Sequence, residues 1–373
     1  MGDAARRVAP APIRFGIVGP GLVAQLHAKA LARIEDARLV AVAGSGPGSD
    51  RAARLAADHG AHASDGLEAM LRDEPLDAVI VCTPHPLHAE QAIAAARAGL
   101  HVVVEKPMAL SSADCAAMIV AADAAGVVLS VISQRRWHPA VRRLKAAIDE
   151  GRIGVPGLAT VEVLGWRSPE YYAMDAWRGT REGEGGGVLV NQAVHQLDLL
   201  CWFLGPVAEV DGWTANLNHP EIEVEDTAVA IARFASGAVA SIVASNSQRP
   251  GLYGRIHVHG RTGASVGVET DAGSSFVAGV TLPSLPSNDI WTIPGEDARR
   301  DQWALEDATA LAGVDIETHF HELQLRDVVA AIREGRPPAV DGRAGQAAVE
   351  LMAAIDQASQ TGERVQLRPA STT

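Results

Sequence analysis

Short apolar runs at 13–18, 39–43, 77–82, 101–105 and 127–130 alternate with stretches at 22–33, 50–58, 89–98 and 112–125 whose apolar residues recur at helical spacing. Strand-length runs separated by helices predict a parallel sheet covered on both faces. Beyond Pro139 the rhythm changes. A helix over 139–150 stops at Gly151, and strand-like runs follow at 158–164, 207–215, 227–234, 238–245 and 253–259, with turn signals such as Ser236-Gly237 between them. These predict an antiparallel region. Inside that region 187–203 reads as a helix, and 270–300, rich in Gly, Pro and Ser, reads as a long irregular excursion. Two helices, 321–334 and 345–360, close the chain on either side of Pro337-Pro338. The expected fold is therefore α/β: a flexible tail at 1–11, a doubly wound parallel-sheet domain at 12–135, and an α+β domain at 136–373. The last helices of that second domain are free to pack back toward the first.

Composition narrows the function classes. The chain has 373 residues, 47% of them hydrophobic, enough for two cores. A formal net charge of −13 with no basic run argues against nucleic acid or an anionic membrane as partner. No stretch of about 18 apolar residues predicts a membrane span. Cys82, Cys115 and Cys201 lie far apart, which supports neither a disulfide framework nor a thiolate zinc site. Without an apolar leader after Arg6-Arg7, the expected location is the cytoplasm. The positive charge is nearly all arginine; the lysines are Lys29, Lys106 and Lys145.

Candidate chemistry begins at Gly19-x-Gly21-x-x-Ala24, between the first strand and the first helix. Glycines there permit a tight turn and close approach of the backbone to a pyrophosphate, and Leu22 and Val23 open a helix whose N–H groups favour an anion. At the end of the second strand, where an acidic residue would hold the ribose of NAD, the sequence runs Gly44-Ser45-Gly46-Pro47-Gly48-Ser49-Asp50-Arg51. Ser45 and Arg51 leave room and charge for a 2′-phosphate, so NAD and NADP both stand as cofactors with the balance tilted to NADP. The plainer alternative is that Arg51 begins a surface helix capped by Asp50.

Two more strand ends point into the same crevice. Thr83, Pro84 and His88 follow the strand at 77–82, and Glu105 and Lys106 follow the strand at 101–105. All are candidates for cofactor contact, although His85 and His88 taken singly read more simply as helix packing. Lys106 can also donate to a substrate oxygen, with a pKa open to lowering by burial. Asn191, His195 and Asp198 are spaced four and three residues apart on one helical face, where polar groups need partners that a ligand pocket would supply. A metal site is not expected, because no third ligand is identified. Trp166-Arg167 and Trp177-Arg178 add aromatic faces and guanidinium groups for a carbohydrate, or simply packing and surface charge.

Taken together, these residues resemble the glucose-fructose oxidoreductase / inositol dehydrogenase (Gfo/Idh/MocA) family. The resemblance runs from 15–21 through Glu105-Lys106-Pro107 and the 185–198 segment to Pro337-Pro338-x-Val340-x-Gly342. It implies an N-terminal Rossmann domain and, at 136–373, a domain for substrate binding and oligomerisation with a large, open, mainly antiparallel sheet. It also implies a homodimer or homotetramer built through that C-terminal sheet, and hydride transfer between NAD(P) and a secondary hydroxyl of a sugar, glycoside or inositol. Lys106 and His195 would stand at the reacting hydroxyl, with Asn191, Asp198, Trp166, Trp177 and Arg178 binding or orienting substrate. The sequence departs from the inositol dehydrogenase pattern at Asn191, where an aspartate often stands. Redox-assisted glycoside cleavage with tightly bound NAD, or a non-catalytic dinucleotide-binding sensor, are the alternatives.

Overall fold

The computed structural model describes residues 11–44, 49–271, 285–296 and 298–367. In its first part β1 (Ile13–Val18), α1 (Leu22–Leu31), β2 (Ala37–Ala43), α2 (Asp50–Asp58), β3 (His62–Ser64), α3 (Leu67–Asp73), β4 (Ala78–Val81), α4 (His88–Arg97), β5 (His101–Val104), α5 (Ser112–Ala125) and β6 (Leu129–Val131) alternate. The strands form one parallel sheet in the order β3-β2-β1-β4-β5-β6. The order reverses between β1 and β4, and that switch point opens a crevice at the carboxyl ends of the strands. β4 is buried along its whole length, as a strand covered by helices on both faces must be. The helix at 50–58 is capped by Ser49, whose Oγ accepts from Ala52 N, and Asp50 falls in its first turn; the cap expected at Asp50 is one residue off.

The second part comprises α6 (Pro139–Asp149), β7 (Pro156–Leu164), α7 (Pro169–Ala173), α8 (Val194–Leu204), β8 (Val207–Ala215), β9 (Thr227–Phe234), β10 (Val239–Ser245), β11 (Tyr253–Gly260), β12 (Ser265–Asp271), α9 (Arg299–Ala310), α10 (Ile316–Glu334), α11 (Gly342–Thr361) and β13 (Val365–Gln366). Its sheet runs β12-β11-β7-β10-β9-β8-β13. All pairs are antiparallel except β7 with β10, because the chain leaves β7, crosses through α8 and returns by hairpins to lie alongside it. One face of this sheet is covered by α8 and α11. The other leaves Leu158, Trp213, Val229, Ile231 and Val239 exposed.

The expected helix over 187–203 is interrupted: a single π turn, Leu189–Ala193, precedes α8. α9 was invisible to hydrophobic spacing because only Asp307 on it is buried. It is held instead by an Arg143–Asp307 ion pair and by Trp303 edge-on to Trp291 at 4.8 Å. Of the irregular excursion, 272–284 and Asp297 lie outside the described residues; 285–296 stays close to β12 through Ser287–Glu269 and Trp291–Val266 bridges. Ser45 also lies outside the described residues.

The last helices do pack back. Leu325, Val328 and Val329 of α10 share a core with Phe15, Ala24, Ala28 and Leu31 of β1 and α1. Gln324 bridges to the first sheet, accepting from Ser133 N at 2.9 Å and donating to Val131 O at 2.8 Å. Val340 O then accepts from Val131 N and Ser130 Oγ, closing the open edge of β6. No helix among the described residues is long and apolar enough to cross a membrane.

Candidate functional site

At the turn after β1, Gly19 has φ +89, and a Cβ there would lie 2.6 Å from the backbone of Cys82 and Thr83. Glycine is required by this close approach of two strand ends. Gly21 is different: a Cβ there would meet nothing within 4 Å. Gly21 is also the N-cap of α1, and no side chain caps that helix. The free N–H groups at a helix start and the open space over Gly21 fit a dinucleotide pyrophosphate. Leu22, exposed, and Val23, half-buried, form the first turn. Arg51 is exposed on α2, its nearest acid Asp175 at 4.0 Å.

Across the crevice Thr83 donates its hydroxyl to Gln91 Oε1 at 2.7 Å, and Pro84 begins the turn into α4. His88 does not reach the crevice. It is fully buried, with Nδ1 at 2.9 Å from Pro107 O and Nε2 at 2.9 Å from Thr83 O; burial favours the neutral ring, whose single N–H donates to one of these two carbonyls. Glu105 is held from inside the protein: its Oε1 lies 2.7 Å from His27 Nε2 and its Oε2 accepts from Lys106 N at 3.1 Å. His321 completes a buried trio with His27 and Glu105. Burial pushes the Glu105 carboxyl up, but the hydrogen bond and charge of His27 together with His321 and Lys106 hold it at about 2.

Lys106 follows β5 across a cis bond to Pro107 and donates Nζ to the carbonyl of Asn191 at 3.1 Å. Burial, reinforced by Arg135 and Arg167 and opposed by Glu105, lowers its ammonium to about 8. His195 opens α8 beside the same small internal void as Lys106. Burial and nearby cations hold its imidazole well below the usual range, so it is neutral at physiological pH. Lysine from the end of β5 and histidine from α8 thus line one void, one near its transition and one uncharged.

The expected stripe of Asn191, His195 and Asp198 sends its side chains to separate tasks. Asn191 donates Nδ2 to the hydroxyl of Tyr171 at 2.7 Å and to Glu184 Oε1. Asp198 takes a bidentate Arg136 at 2.9 and 2.6 Å and the hydroxyl of Ser133, and lines the same void as Lys106 and His195. The segment before α8 is fixed by Glu225, whose carboxylate accepts from Gly187 N at 2.9 Å and Leu189 N at 3.1 Å. A Cβ on Gly187 would lie 1.7 Å from Glu225 O, so no other residue fits.

Glu184 and Tyr171 were not found in the sequence. Glu184 is 1% exposed, accepts from Gly179 N at 2.6 Å, and gives its own carbonyl to His85 Nδ1 at 2.9 Å. Burial raises its carboxyl above the usual range. Trp177 lies edge-on to His85 with centroids 5.9 Å apart, and Arg178 spans Asp175 at 3.1 Å and the Tyr171 hydroxyl at 2.7 Å. Trp166 packs on His219 at 5.5 Å with Arg249 above it, farther from Lys106 in the network than Trp177.

The chain is similar to known proteins along both of its parts. Residues 13–133 match a family model described as "Oxidoreductase family, NAD-binding Rossmann fold", and 141–266 match the "GFO/IDH/MocA C-terminal domain". The chain is 33% identical over 256 residues to 1,5-anhydro-D-fructose reductase of Ensifer adhaerens, covering 68% of this chain and 75% of that protein. To myo-inositol 2-dehydrogenase of Thermotoga maritima it is 33% identical over 259 residues, 67% and 74% of the two chains. Among solved structures, the WlbA dehydrogenase from Bordetella pertussis, in complex with NADH and UDP-GlcNAcA, superimposes with a TM-score of 0.85 at 35% identity, covering 97% of this chain and 99% of that one.

Proposed function

The chain belongs to the Gfo/Idh/MocA family of NAD-binding oxidoreductases, and from that premise we propose that it transfers a hydride between nicotinamide and a secondary hydroxyl of a sugar, glycoside or inositol. The observation that carries this reading is that Lys106, just after β5, and His195, on α8, line one small void. The bound cofactor would supply the hydride acceptor, or the donor in reverse. His195, held neutral, takes the proton of the reacting hydroxyl. Lys106 donates to the same oxygen and offsets the negative charge that grows on it. Asn191 holds Lys106 through its carbonyl while its amide is clamped by Glu184 and Tyr171, so it acts by position rather than as a relay acid.

The WlbA complex contains NADH, which favours NAD; the exposed Arg51 offers a 2′-phosphate a partner and favours NADP. Nucleotide-linked sugar acids such as the one in that complex head the substrate panel, followed by free sugars and inositols. Division of labour near residue 135, a reducing compartment consistent with three unpaired cysteines, and pairing of copies through the exposed face of the second sheet complete the proposal.

The test is a panel assay with NAD and NADP separately, following absorbance of the reduced nicotinamide. K106M should lower turnover by about 10²- to 10⁴-fold while cofactor still binds. Undiminished turnover by K106M would remove the assignment, and product without net cofactor change would convert it to redox-assisted cleavage.

A further inference from the structure

Two arginines are buried among the described residues: Arg136 at 6% and Arg167 at 5% exposure. Their surroundings differ in kind. Arg136 lies bidentate on Asp198. Among the described residues Arg167 is in no ion pair and its Nε has no hydrogen-bond partner, and its guanidinium rests on the ring of Tyr171, 4.7 Å from the centroid. Taking a cation out of water without an anion is costly, and a π face offsets only part of that cost.

The position is nonetheless firmly built. Arg167 N donates to Asn246 O at 3.1 Å, its carbonyl meets His219 Nε2 at 2.8 Å, and the adjacent Trp166 bridges to Ser247. It also belongs to the reacting site. The Tyr171 ring beneath it carries the hydroxyl that receives Asn191 Nδ2, and Asn191 in turn holds Lys106. Arg178 close by is not equivalent, because Asp175 already neutralises it.

We propose that Arg167 is the anchor for a carboxylate carried by the substrate, which makes this enzyme specific for a sugar acid. A carboxylate accepts two parallel N–H bonds from one edge of a guanidinium, and the unpartnered Nε is one of the two donors such an edge needs. A monoanion matches one uncompensated cation; a phosphate dianion would call for a second, and Arg178 is already taken. The proposal rests on the hydride-transfer reading for which hydroxyl reacts, but its test does not depend on turnover.

Full-length protein saturated with NAD is titrated calorimetrically with matched pairs: glucuronate and glucose, galacturonate and galactose, UDP-glucuronate and UDP-glucose, with glucose 6-phosphate as a further arm. In at least one pair the acid should bind roughly ten- to a hundredfold more tightly than its neutral partner. R167M should bring the two members of that pair together, and R167K, which keeps the charge but loses the planar edge, should retain part of the difference. Absence of preference in every pair, a preference that survives R167M, or tighter binding of the phosphate than of any acid overturns the proposal. If an acid is preferred through Arg167 yet no acid reduces NAD, the anchor stands and the hydride-transfer reading falls.

Discussion

Glu184 restores, through its neighbour, the carboxylate that the sequence lacks at residue 191. Its buried oxygens accept from Gly179 N and from the Asn191 amide, and the same asparagine holds Lys106. E184Q would face those donors with an amide, turning one accepting oxygen into an NH2 that must move away. The expected result is a roughly tenfold to hundredfold loss in kcat/KM from displaced Lys106, with NAD affinity retained; an unchanged kcat/KM would leave Glu184 a packing residue. The pH profile follows from the two site groups. Lys106 acts as a charged donor, so kcat/KM should fall as pH rises through about 8, where burial has brought its ammonium. His195 is held below its ordinary range, so no acid limb is expected near the normal histidine value. Activity that instead rises through about 8 would give Lys106 the role of base.

Among the elements, the exposed face of the second sheet makes the clearest demand. On β9 the alternation is strict, with Ala228, Ala230, Ala232 and Phe234 buried and Val229 and Ile231 outward. Trp213 on β8 and Val243 on β10 lie opposite Val229 in register, extending the outward row across three strands. A contiguous apolar row on water is what the proposed pairing of copies would cover. Sedimentation should show an assembly larger than the 39.0 kDa chain, and I231D should reduce it to monomer without lowering the melting cooperativity. A wild-type monomer would contradict the pairing.

Strands and long helices were legible because burial imposes period: α5 begins and ends as its spacing reads, at Ser112 and Ala125. Lys106 was legible because it ends a strand. Glu184, Tyr171 and the pairing of Asp198 with Arg136 were not, since they depend on where aperiodic segments fold. The π turn at Leu189–Ala193 escaped for the same reason, as helical spacing alone does not register one inserted residue.

The whole molecule is tied together from its far end. α10 completes the core under β1 and α1, Gln324 clamps the β6 turn, and Val340 covers the edge of β6. Residues 12–135 made alone should therefore lack a cooperative melt, and regain one when a separate piece carrying 316–361 is supplied; a cooperative melt of the short piece alone would show the first sheet to be self-sufficient. During synthesis this reverses the usual order of events. The nucleotide-binding half leaves the ribosome before α10 and Val340, so the β6 edge stays uncovered, and open to pairing with another chain, until those residues emerge.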